Sequence, residues 1–377
     1  MNPVSNATSS PDWFAVENLD EVESPALLIY PARVEENIRR MVAIAGDAAR
    51  LRPHVKTHKL AQITARNIAA GITKFKAATI AEAEMLGREN AADVLLAYQP
   101  VGPNARRFMQ LTRAFPKTSF ACLVDDIGAA HTLSQLAVCE GIRIKVLLDL
   151  DCGQHRTGIA PDDEAAEFYA ALCRLPGLNP SGLHAYDGHI SASDPAQRKA
   201  ECETAFVPVA KLRERLSALG MSGRSLVAGG TPTFPFHARR TSVECSPGTC
   251  VLWDFSYSSR LADLDFLHAA LVLTRVVSRP GRQRLCLDLG HKAIASENPH
   301  PRVCFLNAPT ARAVAHSEEH LVVEMDSTDR WKVGDCLFGV PWHVCPTVAL
   351  HREAVVVENG RATERWRIEA RDRHLTI

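Results

Sequence analysis

The sequence predicts an α/β chain, a parallel (β/α)₈ barrel of the TIM type followed by a C-terminal all-β domain. Three observations predict it. Short apolar runs alternate with helical patterns from about residue 26 to residue 250. Near residue 265 the alternation stops, and strand-like runs follow one another without long helical patterns between them. At 377 residues the chain also exceeds the usual reach of one hydrophobic core.

Residues 26–30 read as a strand, and Pro31 opens a helix whose apolar positions Val34, Ile38, Met41 and Ile44 recur at helical spacing. Residues 51–56 follow as a strand, then a helix over 61–70 closed by Gly71. Strands over 74–78 and 94–98 precede helices over 81–86 and 104–114, and 119–124, 142–150, 182–185 and 225–227 continue the series. Roughly eight units fit a barrel, with chemistry expected at the C-terminal strand ends. Periodicity alone leaves a doubly wound open sheet as the competing arrangement. Residues 269–277, 284–289, 321–325, 336–340 and 354–357 supply the second domain's strands, and Glu358-Asn359-Gly360-Arg361 reads as a type I′ hairpin turn. The expected domains are a tail over 1–23, a barrel over 24–264 and a β-domain over 265–377.

Lysine plus arginine and aspartate plus glutamate both number 43, a balance that argues against nucleic-acid binding and electrostatic membrane attachment. Apolar runs are too short to cross a bilayer. The polar, small-residue start carries no signal-peptide pattern. Eleven cysteines are scattered without a C-x-x-C pair, and Cys122, Cys173 and Cys286 fall in apolar runs. The expectation is reduced, buried thiols in a cytoplasmic protein.

In Arg52-Pro53-His54-Val55-Lys56-Thr57-His58-Lys59 a lysine stands where a strand ends. If alternation holds, Arg52, His54 and Lys56 point into the barrel, where desolvation lowers an amine's pKa and frees it to condense with an aldehyde cofactor. Lys59 is the rival amine, expected past the strand. Gly229-Gly230-Thr231 follows an apolar run, and Gly248-Thr249 forms a second turn; glycines there let backbone N–H groups approach a phosphate. Arg156 closes Asp149-Leu150-Asp151-Cys152-Gly153-Gln154-His155-Arg156 at another strand end, where it reaches a cofactor oxygen or substrate carboxylate, or pairs with Asp149 or Asp151. Tyr186 is placed to contact a cofactor ring. His343 and Cys345, two apart, share one face of a strand and offer an imidazole and a thiolate to a divalent metal.

Taken in order, these motifs resemble the D-threonine aldolase/D-serine dehydratase family, alanine-racemase-like enzymes that use pyridoxal 5′-phosphate (PLP). The resemblance runs from about residue 24 to the C-terminus. It implies a PLP-binding barrel, a homodimer, and Lys56 as the lysine that carries the cofactor. It implies Arg156 and Tyr186 beside the cofactor ring, and Gly229, Gly230, Thr231, Gly248 and Thr249 around the phosphate. His343 and Cys345 would bind a divalent metal, zinc first and manganese as the alternative. Ser317-Glu318-Glu319-His320 also matches an acidic-His segment of the aldolases.

Aldolases of the family carry Asp where this chain has Cys345, and the dehydratases carry Cys. Pro346-Thr347-Val348-Ala349-Leu350-His351 is closer to the aldolases. The expected substrate is a small β-hydroxy-D-amino acid, cleaved to glycine and an aldehyde. The alternatives are a D-serine or D-3-hydroxyaspartate dehydratase giving a 2-keto acid and ammonia, and a non-catalytic PLP carrier, which would need neither the β-domain nor the metal pair. A racemase would not need the metal pair either.

Overall fold

The computed structural model describes residues 12–221 and 225–377; the start of the expected tail, residues 1–11, lies outside them. β1 (Ala26–Ile29) leads into α1 (Pro31–Ala45), whose proline occupies the first turn, where a backbone N–H has no helical partner anyway. Then follow α2 (Ala61–Ala69), β2 (Lys74–Ala77), α3 (Ile80–Arg88), β3 (Asp93–Leu96), α4 (Pro103–Ala114), β4 (Ser119–Val124), α5 (Ile127–Cys139) and β5 (Ile144–Leu150). The series continues with α6 (Asp163–Cys173), β6 (Leu178–Ala185), α7 (Pro195–Ala218), β7 (Ser225–Ala228), the short α8 (Phe234–His237) and β8 (Glu244–Cys245). Thr79, Asp126, Asp162 and Asp194 start their helices by accepting first-turn N–H groups.

Strands β2 to β8 form one parallel sheet in chain order. Residues 51–54 close it into a barrel. Leu51 bridges Cys245 on one side and His54 bridges Lys76 on the other, both parallel. Arg52 N–H donates to the Cys245 carbonyl (2.8 Å), and Lys76 N–H donates to that of Pro53 (3.0 Å). The sequence reading carries this strand to Lys56, but the structure ends it at His54. Pro53 has no N–H for the ladder, and Val55–Thr57 winds into a 3₁₀ turn capped by the His54 ring.

The strand starts gather an ion cluster. Arg52, 4 % exposed, reaches Asp93 (2.6 Å) and Glu244 (2.7 Å), and Lys74 joins Glu244 (2.7 Å). Leu95, Ala121, Leu123, Leu147 and Val227 fill the barrel interior. The N-terminal mouth is thereby closed, and the open end lies where the strands finish.

After α9 (Phe255–Arg260) come β9 (Ala270–Ser278), β10 (Arg284–Leu287), β11 (Val303–Phe305), β12 (Arg312–His316), β13 (Leu321–Glu324), β14 (Cys336–Pro341), α10 (Val344–Leu350), β15 (Glu353–Glu358) and β16 (Arg361–Arg367). These strands form a separate mixed sheet, and β1 belongs to it, antiparallel to β9 and parallel to β15. The sequence reading counts β1 with the barrel units. A strand buried on both faces, as Leu27, Leu28 and Ile29 are, reads alike in either sheet. Phe14, Val16 and Val22 pack on this sheet, so the expected tail over 1–23 is held against it from Phe14 onward. The hairpin turn is as expected, with Asn359 and Gly360 at φ 50° and 75°.

Two expectations are corrected here. His343 and Cys345 do not share a strand: His343 caps α10 and Cys345 lies in its first turn, where Pro346 is tolerated because N–H groups there lack helical partners. Four of the eleven free cysteines are buried, while Cys173 is exposed and Cys286 half-buried. Cys173 ends α6 and Cys286 sits on a strand of alternating burial. Among the described residues no helix is long and apolar enough to cross a membrane.

Candidate active site

At the open end of the barrel lies a cavity of about 160 Å³, lined by His54, Lys56, Lys76, Arg156, His184 and Tyr186 among others. The 3₁₀ turn presents Lys56 to it. Lys59 is held elsewhere: its backbone is left-handed at φ 55°, and its ammonium pairs with the buried Glu82. His54 is buried beside Lys56. Burial and the neighbouring lysines hold its imidazole neutral, well below its ordinary value.

Tyr186, just past β6, is fixed by two glycines. A Cβ at Gly188 would fall 2.4 Å from the phenol ring, and one at Gly230 would fall 3.1 Å from Cε2. Lys76 Nζ and the Arg156 guanidinium lie over the ring, 5.3 and 5.4 Å from its centroid. Among the described residues Arg156 has no carboxylate partner within 4 Å; Asp151 instead accepts from His155, and Asp149 from His184.

Thr231 brings the two glycine turns together, its Oγ1 accepting from Gly248 N–H (3.2 Å) and Thr249 N–H (3.1 Å). Gly229 stands at φ 78°, conformation that glycine adopts at low cost. A Cβ on Gly248 would lie 3.2 Å from Thr57 Oγ1 and 3.4 Å from His54 Cβ, so the second turn presses on the Lys56 turn.

From the other sheet's side, α10 brings Cys345 Sγ to 3.2 Å from Thr57 Oγ1 and 3.8 Å from Thr249 Oγ1. His343 Nδ1 lies 2.5 Å from Glu297 Oε1. Burial opposes protonation of His343, but Cys345, Glu297 and Asp254 outweigh it and lift the imidazole to about 9.

On the barrel floor the sequence reading missed three residues. Lys76 on β2, 2 % exposed, extends to His184 on β6, with Nζ 3.5 Å from Nε2. His184 Nδ1 lies 2.7 Å from Asp149 Oδ1 on β5. Burial, then repulsion by Lys56, pulls Lys76 to about 7 against the opposing pull of Asp149. A lysine in a four-residue strand gives no sign of facing inward until β2 has neighbours on both sides.

The alanine racemase N-terminal domain family matches residues 29–253, and the putative serine dehydratase domain matches residues 269–357. D-threonine aldolase from an Arthrobacter species is 31% identical over 361 residues, covering 94% of both chains. The chain belongs to the D-threonine aldolase/D-serine dehydratase family of alanine-racemase-like, PLP-dependent lyases. The 3-hydroxy-D-aspartate aldolase of Paracoccus denitrificans strain Pd 1222 is 28% identical, with 93% and 92% covered. The crystal structure of D-threonine aldolase from Filomicrobium marinum superposes with a TM-score of 0.88 at 28% identity, covering 96% of this chain and 99% of that one. D-threo-3-hydroxyaspartate dehydratase from Delftia sp. HT23, at 23% identity and TM-score 0.81, shares the fold, covering 93% of this chain and 98% of its own.

The residues present fit the family's cofactor. Lys56, Arg156 and Tyr186 line one cavity, and the two glycine turns press on its walls, Gly230 against the Tyr186 ring and Gly248 against the Lys56 turn, leaving close approaches that side chains would fill. They also fit a divalent metal at His343 and Cys345, since an imidazole oriented by Glu297 beside a thiol is a borderline-soft donor pair.

Proposed function

We propose that this chain cleaves β-hydroxy-D-amino acids between Cα and Cβ, releasing glycine and an aldehyde. One observation carries the reading: Lys56 opens into the cavity while Cys345 approaches the adjacent Thr57. The helix that carries the candidate metal pair is thus packed against the turn that carries the amine. When bound, PLP supplies an electron sink for the pair of electrons left at Cα.

Lys56 is the residue that carries the cofactor aldehyde. Tyr186 and Arg156 contact the cofactor ring or its oxygen, and Gly229, Gly230, Thr231, Gly248 and Thr249 surround the phosphate. His343 and Cys345 would hold the metal, zinc before manganese, whose charge would favour loss of the β-hydroxyl proton. In the overall change that proton leaves, the β-carbon departs as a carbonyl, and Cα receives a proton. The protein works as a cytoplasmic homodimer on a small molecule, with neither nucleic acid nor membrane as partner; the eleven free thiols suit a reducing compartment.

The domain division proposed from sequence is kept, except that β1 lies inside the second sheet, between β9 and β15. A second reading, β-elimination of water from D-serine or D-3-hydroxyaspartate, is favoured by the cysteine at position 345. Incubation with D-threonine and D-serine separates the two. Glycine plus acetaldehyde supports cleavage, and pyruvate or 2-ketobutyrate supports elimination. Borohydride reduction followed by mass mapping should place the cofactor on Lys56; an adduct on Lys76 or Lys59 instead overturns the assignment.

A further inference from the structure

Behind the first glycine turn lies a buried cluster that the proposed reaction does not use. Asp187 directly follows Tyr186 and is 4 % exposed. Its Oδ1 accepts from Thr233 Oγ1 (2.7 Å), and the same Thr233 oxygen accepts the Gly230 N–H (3.2 Å). Asp187 Oδ2 faces His237 Nε2 at 2.8 Å. On the far side of that ring, Arg240 Nη1 lies 3.2 Å from Nδ1. A guanidinium only donates, so Nδ1 accepts and Nε2 carries the hydrogen given to Asp187. Cys202 Sγ completes the group, 3.8 Å from Asp187 Oδ2.

Asp187, Cys202 and His237 place three atoms of metal-ligand type within 4.8 Å, the one such group among the described residues. The details favour hydrogen bonding over an ion. Both Asp187 oxygens and both His237 nitrogens have protein partners. Burial pushes the Cys202 thiol up to about 12, away from the thiolate that a metal takes. Arg240 already places a cation 3.9 Å from that sulfur.

The network instead holds the turn. A Cβ on Gly229 would meet His237 Cδ2 at 2.5 Å, so the imidazole packs directly against the turn. Thr233 secures the next N–H along. Through its own backbone Asp187 is joined to Tyr186, whose ring rests on Gly230. One carboxylate therefore ties the end of β6 to the turn after β7.

We propose that Asp187 is a positioning residue that locks the Gly229-Gly230-Thr231 turn against Tyr186, and so sets how tightly the phosphate of the cofactor is held. The inference rests on reading this turn as the phosphate site. Pyridoxal, which lacks the phosphate, separates that role from a general loosening of the fold.

The test measures dissociation of PLP and of pyridoxal from the full-length protein and its Thr233→Val, Thr233→Ser and Asp187→Asn variants. Thr233→Val should weaken PLP binding about tenfold or more, the scale of one lost buried hydrogen bond, and leave pyridoxal binding little changed. Thr233→Ser, which keeps the hydroxyl, should restore PLP binding. Asp187→Asn should weaken PLP in the same selective way, while borohydride still fixes the cofactor on Lys56. The proposal is overturned if Thr233→Val binds PLP as the parent does, if PLP and pyridoxal lose equally, or if serine fails to rescue. Stoichiometric metal in the parent that disappears in Asp187→Asn would also overturn it, by making the cluster a metal centre.

Discussion

Lys76 Nζ and His184 Nε2 meet 3.5 Å apart across the barrel, and the second ring nitrogen of His184 lies 2.7 Å from Asp149. A lysine is thus buried beside an imidazole that is itself held below its ordinary value by burial, against the opposing pull of Asp149.

This arrangement makes stability depend on pH. Lys76 titrates at about 7 in the fold and at 10.5 ordinarily. Below pH 7 both folded and unfolded chains are protonated, and the fold carries the full cost of a buried charge. Between pH 7 and 10.5 only the unfolded chain holds the proton, so this contribution to stability rises with pH until the penalty is gone. Lys76→Met removes the penalty, on the order of a few kcal/mol at its largest. Urea midpoints of the cofactor-free protein should show the variant gaining over the parent at pH 6, with the gain shrinking by pH 9. A gain equal at both pH values would falsify the assignment.

The barrel was legible because its strands are short, apolar and separated by capped helices, and because Lys56 and the glycine turns follow strand ends. What stayed hidden depends on contacts between distant segments. Leu51 to His54 closes the barrel with two bridges rather than as a full strand, so periodicity overextends it to Lys56. Lys76 looks like an ordinary polar residue until β2 and β6 face each other across the interior, and Asp187 does until the end of β6 meets the turn after β7. Pro341 and Pro346 signal a break around His343, but the break begins a helix, and proline in a first turn reads equally well as a loop.

Glu297 should matter to the metal without binding it. Its carboxylate lies 2.5 Å from His343 Nδ1, which leaves Nε2 as the ring nitrogen available to a metal. Glu297→Ala frees the imidazole to rotate and removes the charge that makes it a better donor. Metal affinity should fall roughly 10–100-fold, measured by competition with a chromophoric chelator, and PLP content should stay as in the parent. An unchanged affinity counts against His343 as a ligand.

Gly188 gives a steric test of Tyr186. A methyl there would sit 2.4 Å from the ring carbons and the hydroxyl, far inside contact distance, so the phenol must swing away. Gly188→Ala should lower PLP affinity and shift the cofactor's visible absorbance. Tyr186→Phe keeps the ring and loses only the hydroxyl, so it should retain more of the affinity. If Gly188→Ala binds PLP with the parent's spectrum and affinity, Tyr186 does not contact the ring.

Arg52 closes the other mouth of the barrel. Its side chain is nearly buried and satisfies two carboxylates, Asp93 and Glu244, at the starts of β3 and β8. Arg52→Met leaves both without their shared cation, and breaking a buried ion pair costs about 3–5 kcal/mol. The low end is expected, because Lys74 still pairs with Glu244 and Asp93 is partly exposed. Adding Asp93→Asn and Glu244→Gln to Arg52→Met removes the uncompensated charges and should recover part of the loss. Thermal unfolding of the three proteins checks this. A triple variant no more stable than Arg52→Met would mean that Arg52 stabilises the seam through packing of its stem, not through charge.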